Sequence, residues 1–148
     1  MAYFHDSYDC TIDDNKRLSI PSRYRKVMSL LKEKIFVIST LESPCLTFYP
    51  NCKFEEKIVK AIDDMPELDD EANDLRRQIG LQTTLVPMDN QGRLVIPPRF
   101  REFAGIERKV KLVGLMNKFE VWNPERYEQY LKTKDVKAIK TAMKRRGI

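Results

Sequence analysis

The sequence predicts a β-rich α+β fold built from two copies of one unit, and three observations carry that prediction. The phrase Asp13-Asp14-Asn15-Lys16-Arg17-Leu18-Ser19-Ile20-Pro21-Ser22-Arg23-Tyr24-Arg25 returns 76 residues later as Asp89-Asn90-Gln91-Gly92-Arg93-Leu94-Val95-Ile96-Pro97-Pro98-Arg99-Phe100-Arg101, identical at seven positions. Strand-like runs precede and follow both phrases. The order of elements after each phrase is also kept, with small gaps.

Each element has its own reason. Tyr8 to Ile12 and Gln82 to Met88 read as strands leading into the phrase. The turn opens on Asp, whose carboxylate bonds backbone N–H groups two residues on. Asp13 with Arg17 and Asp89 with Arg93 are spaced to pair across it, and Gly92 allows the positive φ of a tight turn. Leu18-Ser19-Ile20 and Leu94-Val95-Ile96 suit a short strand. Pro21 and Pro97 end that strand and open a helix, where a missing N–H does no harm. The helices are expected over Ser22 to Lys32 and Pro98 to Phe103. Ile35–Ile38 and Leu46–Pro50, matched by Val110–Val113 and Phe119–Trp122, form two further strands. Tight connections join them at Glu42-Ser43-Pro44 and Met116-Asn117-Lys118. A closing helix begins near Cys52 and near Pro124.

Repeat one covers about 5–62 and repeat two about 82–131. The linker of about 63–81 begins rich in acid, and Asp69 is placed to cap a helix running through Leu75 to Ile79, so a helical hairpin is expected there. Beyond Leu131 the pattern weakens, and 132–148 reads as a frayed or disordered basic tail.

Bulk properties narrow the function. The 148 residues suffice for one compact core, or for two small units sharing one. No apolar run approaches the roughly 18 residues of a membrane span, and no secretory signal opens the chain, so a cytoplasmic protein is expected. Cys10, Cys45 and Cys52 lack metal-site spacing and read as free thiols. The net charge of +5 is concentrated in the tail, where seven Lys or Arg face one acid, Asp135. The rest, with 20 basic and 21 acidic residues, is near neutral. No nucleophile–base pair, metal cluster or phosphate-cradling glycine loop emerges, so neither catalytic residues nor a metal or cofactor is expected. Phe36, Phe48, Tyr49, Phe119 and Trp122 sit among aliphatic residues and read as core.

The candidate site is the repeated turn. Its three arginines per copy supply donors suited to phosphates or guanine edges. Arg23 and Arg25, two apart on a helix, take different faces, one toward ligand or solvent and the other toward a neighbouring strand or subunit. The basic tail adds potential salt-sensitive affinity for nucleic acid.

A strand, an Asp-led turn ending in Arg, then Leu-x-Ile-Pro and an Arg-bearing helix resembles the AbrB-type DNA-binding unit. Two in tandem resemble the MraZ family of bacterial transcriptional regulators, over roughly residues 1 to 131. The residues are Asp13, Arg17, Leu18, Ile20, Pro21, Arg23, Tyr24 and Arg25, then Asp89, Gly92, Arg93, Leu94, Ile96, Pro97, Pro98, Arg99 and Phe100, with Val113-Gly114 and Phe119 to Trp122 also fitting. The resemblance implies a swapped-hairpin double-split β-barrel with flanking helices. It also implies ring-like homo-oligomers, a nucleoid-associated cytoplasmic location, and double-stranded DNA as partner, at promoter direct repeats upstream of a division and cell-wall gene cluster. DNA-binding residues are expected at Asn15, Lys16, Arg17, Arg23, Arg25, Arg93 and Arg99, with Asp13, Asp89 and Gly92 shaping the turns. One departure stands out: where the family pattern ends its first turn Lys-Gly-Arg, this chain has Asn15-Lys16-Arg17. Asn tolerates left-handed backbone, so Asn15 is expected to take part of the bend. The alternatives are a ring-forming scaffold held by Asp–Arg pairs and an antitoxin-type regulator, against which the duplication argues.

Overall fold

A computed structural model of the chain describes residues 3–42 and 44–148. Ser43, in the expected Glu42-Ser43-Pro44 connection, lies outside the described residues. The first repeat runs β1 (Ser7–Thr11), β2 (Arg17–Ser19), α1 (Ser22–Leu30), β3 (Ile35–Ser39) and β4 (Leu46–Pro50). A continuous helix over residues 51–63 follows, composed of α2 (Asn51–Phe54), a π-helical turn at Glu55–Val59 and α3 (Lys60–Asp63). After α4 (Asp70–Leu81) the series resumes with β5 (Thr83–Pro87), β6 (Arg93–Val95), α5 (Pro98–Ala104), β7 (Lys109–Gly114), β8 (Phe119–Trp122), α6 (Pro124–Lys132) and α7 (Val136–Arg145). The fold is α+β, and its described ladders are all antiparallel.

Strand order explains why two repeats make one core. The larger sheet runs β1-β7-β8-β4-β3-β5, and β2 pairs with β6 separately. The hairpins β3–β4 and β7–β8 sit side by side, joined where Phe48 faces Phe119. Each repeat sends its leading strand to the other's hairpin: β1 pairs with β7, and β5 with β3. Reversing the order while exchanging repeats returns the same arrangement, so the pairing has a pseudo-two-fold relation, with Leu18 opposite Leu94 in the small ribbon.

The core lies along this relation. Phe119 is fully buried, with ring centroids 5.1 Å from Phe4, 4.8 Å from Tyr24, 5.5 Å from Phe36 and 5.0 Å from Phe48. A second-repeat ring is thus surrounded by aromatics of the first, and neither repeat closes a core alone. The expected core aromatics Phe36, Phe48, Tyr49, Phe119 and Trp122 are all buried.

The linker of about 63–81 holds one helix, α4, which folds back on the helix over residues 51–63. Asp69 caps α4, accepting from the Ala72 backbone N–H at 2.9 Å. Arg76 closes the hairpin, with Nη2 donating to the carbonyls of Ile62 at 3.1 Å and Met65 at 2.8 Å, and Nη1 to that of Pro66 at 3.1 Å. A cation thereby satisfies carbonyls around the end of α3.

The expectation of a frayed or disordered tail is corrected. Asp135 starts a further helix, its carboxylate accepting from Lys137 N at 2.9 Å and Ala138 N at 3.4 Å. Val136, Ile139 and Met143 then recur on one face of α7. The first-repeat helix also ends earlier than Lys32: α1 stops at Leu30, and Lys32 takes φ +56°.

Candidate nucleic-acid interface

The two turns are built bond for bond alike. In the first, Asp13 Oδ1 accepts from the backbone N–H of Asn15 at 2.9 Å and of Arg17 at 2.8 Å, and Oδ2 accepts from Arg17 Nε at 3.0 Å. In the second, Asp89 Oδ1 accepts from Gln91 N at 2.8 Å and Arg93 N at 2.9 Å, and Oδ2 from Arg93 Nε at 3.1 Å. The backbone bond from residue four of each turn matches too: Lys16 N to Asp13 O, and Gly92 N to Asp89 O, both 3.0 Å. Both aspartates thus bind the backbone of their own turn.

This bonding sets the electrostatics. The Arg17 backbone N–H, helped by its guanidinium and by Asn15 N–H, holds the Asp13 carboxyl below its ordinary range. Asp89 is lowered likewise, first by the Arg93 backbone N–H. Each arginine is held through Nε, which aims the guanidinium while its Nη groups make no hydrogen bond among the described residues. Arg17 and Arg93 line one shallow cavity of about 390 Å³ with Val86, Pro87 and Met88. The cross-strand register places Arg17 opposite Val95 and Ser19 opposite Arg93, so the turns leave opposite ends of the β2–β6 ribbon.

The remaining candidates divide. Asn15 is exposed and serves the turn through its backbone, but it does not take the left-handed bend expected of it. Lys16 does, at φ +63°, the position matching Gly92 at φ +74°. The hydrogen-bonded turn imposes this conformation on its fourth residue whatever its identity. Arg23 points outward, 78% exposed, and pairs with Asp6 at 2.9 Å. Arg25 turns instead toward the second repeat, with Nε donating to Ile20 O at 3.1 Å and its stem against Gly92. Arg99 donates to Leu81 O at 2.7 Å and stacks on Phe100, 4.3 Å from the ring centroid. The structure thus brings together Asp13 with Arg17, Asp89 with Arg93, and Arg25 with Gly92; Arg23 and Arg99 stand apart. Sequence reasoning passed over Arg101 as a site residue, although its identity with Arg25 in the repeated phrase was a signal.

No cluster of three or more metal-ligating side chains occurs among the described residues, and the three cysteines are free. No helix of the described residues is long and apolar enough to cross a membrane.

Comparison with known proteins bears on both halves of this arrangement. The family model described as "MraZ protein, putative antitoxin-like" matches twice, at residues 3–78 and 79–146. The chain belongs to the MraZ family. Curated members named "Transcriptional regulator MraZ" include one from Thioalkalivibrio sulfidiphilus, 31% identical over 144 residues and 95% of each chain. One from Pseudomonas aeruginosa is 33% identical over 138 residues, 93% of this chain and 90% of the relative. One from Saccharophagus degradans is 36% identical over 126 residues, 82% and 83% of the two chains. The family's tandem units are the two interleaved repeats that supply the paired turns. Its members' name denotes regulation of transcription.

Proposed function

We propose that this MraZ-family chain is a sequence-specific DNA-binding transcriptional regulator that works without catalysis. The observation that carries the reading is the pair of Asp-locked turns, each holding its arginine by Nε and leaving the Nη groups available. Pre-aimed guanidiniums suit phosphate oxygens or guanine edges because little side-chain freedom remains to be lost on binding. The name borne by the relatives supports the same reading.

In this proposal Arg17 and Lys16 are the main base or phosphate contacts, flanked by Asn15, with Arg93 at the second turn. Arg23, Arg25 and Arg99 support on phosphate. Exposed Lys137, Lys140, Lys144 and Arg145 on α7 add affinity that depends on salt. The exchange of leading strands is read as the swapped-hairpin, double-split β-barrel. The protein acts in the cytoplasm, at the nucleoid, as a ring-like homo-oligomer. Many identical turns then engage direct repeats upstream of a division and cell-wall gene cluster, and avidity multiplies weak contacts.

The test is a gel-shift and footprint on the chain's own upstream DNA. Wild type protects a direct repeat, and Arg17→Ala loses that protection while keeping its elution volume in size-exclusion chromatography. Unchanged promoter affinity in Arg17→Ala overturns the reading.

A further inference from the structure

The two turns differ in what packs beneath them. At the second, Gly92 is buried and the Arg25 stem occupies the space where a Cβ would stand, with Arg25 Nε bonded to Ile20 O at 3.1 Å. The 76-residue offset makes Lys16 and Arg101 the counterparts of Gly92 and Arg25. Lys16 has the same left-handed backbone but carries a side chain, so the corresponding space is filled. Arg101 makes no equivalent bond. Its Nε is shielded from solvent and has no hydrogen-bond partner, unlike every other shielded side-chain nitrogen or oxygen among the described residues.

A cavity of about 390 Å³ opens there, walled by Lys16, Arg101 and Arg108 and by Asp13, Asp14 and Glu107; its counterpart beside the second turn, about 600 Å³, is lined by Arg25, whose Nε is already bonded to Ile20 O. Two of the carboxylates are already engaged: Asp13 by Arg17 at 3.0 Å and Asp14 by Arg108 at 3.1 Å. Lys16 and Arg101 thus share the cavity with one carboxylate that makes no ion pair among the described residues, Glu107, which is exposed. A guanidinium whose shielded Nε lacks an acceptor is unfavourably placed, so an anion that draws it outward into the cavity is favoured. An arginine and a lysine around a small cavity offer several donors that the paired carboxylates do not take up, the chemistry a tetrahedral oxyanion uses.

We propose that the cavity between the first turn and α5 seats one phosphate group, held by Arg101 and Lys16, and that the second turn has no such seat. The seat stands on its own geometry. Only its assignment to a DNA backbone phosphate, rather than a free phosphate ion, rests on the DNA-binding reading.

The experiment titrates the full-length ¹⁵N-labelled protein with inorganic phosphate, with chloride keeping the ionic strength constant. Saturable shifts are expected at the amides of Asp13 to Arg17 and Ile106 to Arg108, but not of Gln91 to Arg93. Arg101→Met and Lys16→Gly are each expected to weaken binding at least tenfold, and thermal unfolding confirms that both fold. Lys16→Gly is the sharper variant, because it gives Arg101 the room that Arg25 has. No saturable shift, equal shifts at both turns, or full binding by Lys16→Gly overturns the seat. A second arm measures duplex binding. If a backbone phosphate fills the seat, Arg101→Met lowers DNA affinity and inorganic phosphate competes with duplex. If DNA affinity ignores Arg101 while phosphate binding depends on it, the ligand is a free anion. A protein that binds phosphate here but no duplex refutes the DNA reading and leaves the seat intact.

Discussion

Arg25 of the first repeat lies across the turn of the second, so close that a Cβ on Gly92 would collide with its Cδ and stand 3.0 Å from its Nε. The glycine is therefore required twice, by its φ of +74° and by the arginine beneath it.

Gly92→Ala is expected to destabilise the protein by about 1–3 kcal/mol, through left-handed strain and displacement of Arg25 from Ile20 O. Lys16→Gly acts in the opposite direction, adding up to about 1 kcal/mol by removing a side chain from a left-handed position. Urea unfolding of both variants checks the pair. Equal effects of the same sign contradict the packing described for the second turn.

The turn carboxylates give a pH dependence with a definite sign. Asp13 and Asp89 both lie below their ordinary value of 3.8, each first because of a backbone N–H from the turn arginine. In acid the unfolded chain then binds more protons than the native one. The stability they contribute is fully present above the ordinary carboxylate range and is lost as pH falls through their lowered native values. The double variant Asp13→Asn, Asp89→Asn keeps an acceptor for the turn N–H groups but has no charge to lose. Its melting temperature is expected to be lower than wild type at pH 7 and to fall less steeply below pH 4. Parallel curves for the two proteins refute the assignment.

Phe119→Ala is expected to cost about 3–5 kcal/mol, because it leaves a cavity among four surrounding aromatics. Since those rings belong to the other repeat, the repeats unfold together. Fluorescence of Trp122, buried in the second repeat, and far-UV circular dichroism are expected to report one coincident transition in wild type. Separate transitions contradict a shared core.

Truncation after Thr133 removes α7 with its Lys and Arg residues and none of the buried core. The shortened chain is expected to keep its melting temperature within a few degrees and to bind duplex more weakly, with a shallower dependence on salt. An unchanged salt slope removes α7 from the interface.

The sequence alone determined the duplication, the order of strands and helices, the Asp–Arg turns and the helix cap at Asp69. All rest on local chemistry: Asp before backbone donors, Pro at helix starts, and apolar alternation. The same locality explains the misjudged tail, where the Asp135 cap was legible but went unread. Tertiary structure decided the rest. Which strands pair between repeats depends on partners 44 to 106 residues apart, and no local pattern encodes them. The repeated phrase showed Arg25 and Arg101 as identical. Packing made them unlike, because one lies beneath a glycine of the opposite repeat and the other shares a cavity with a lysine. Their difference lies in the neighbour that the fold brings to each, and only the folded chain supplies that neighbour.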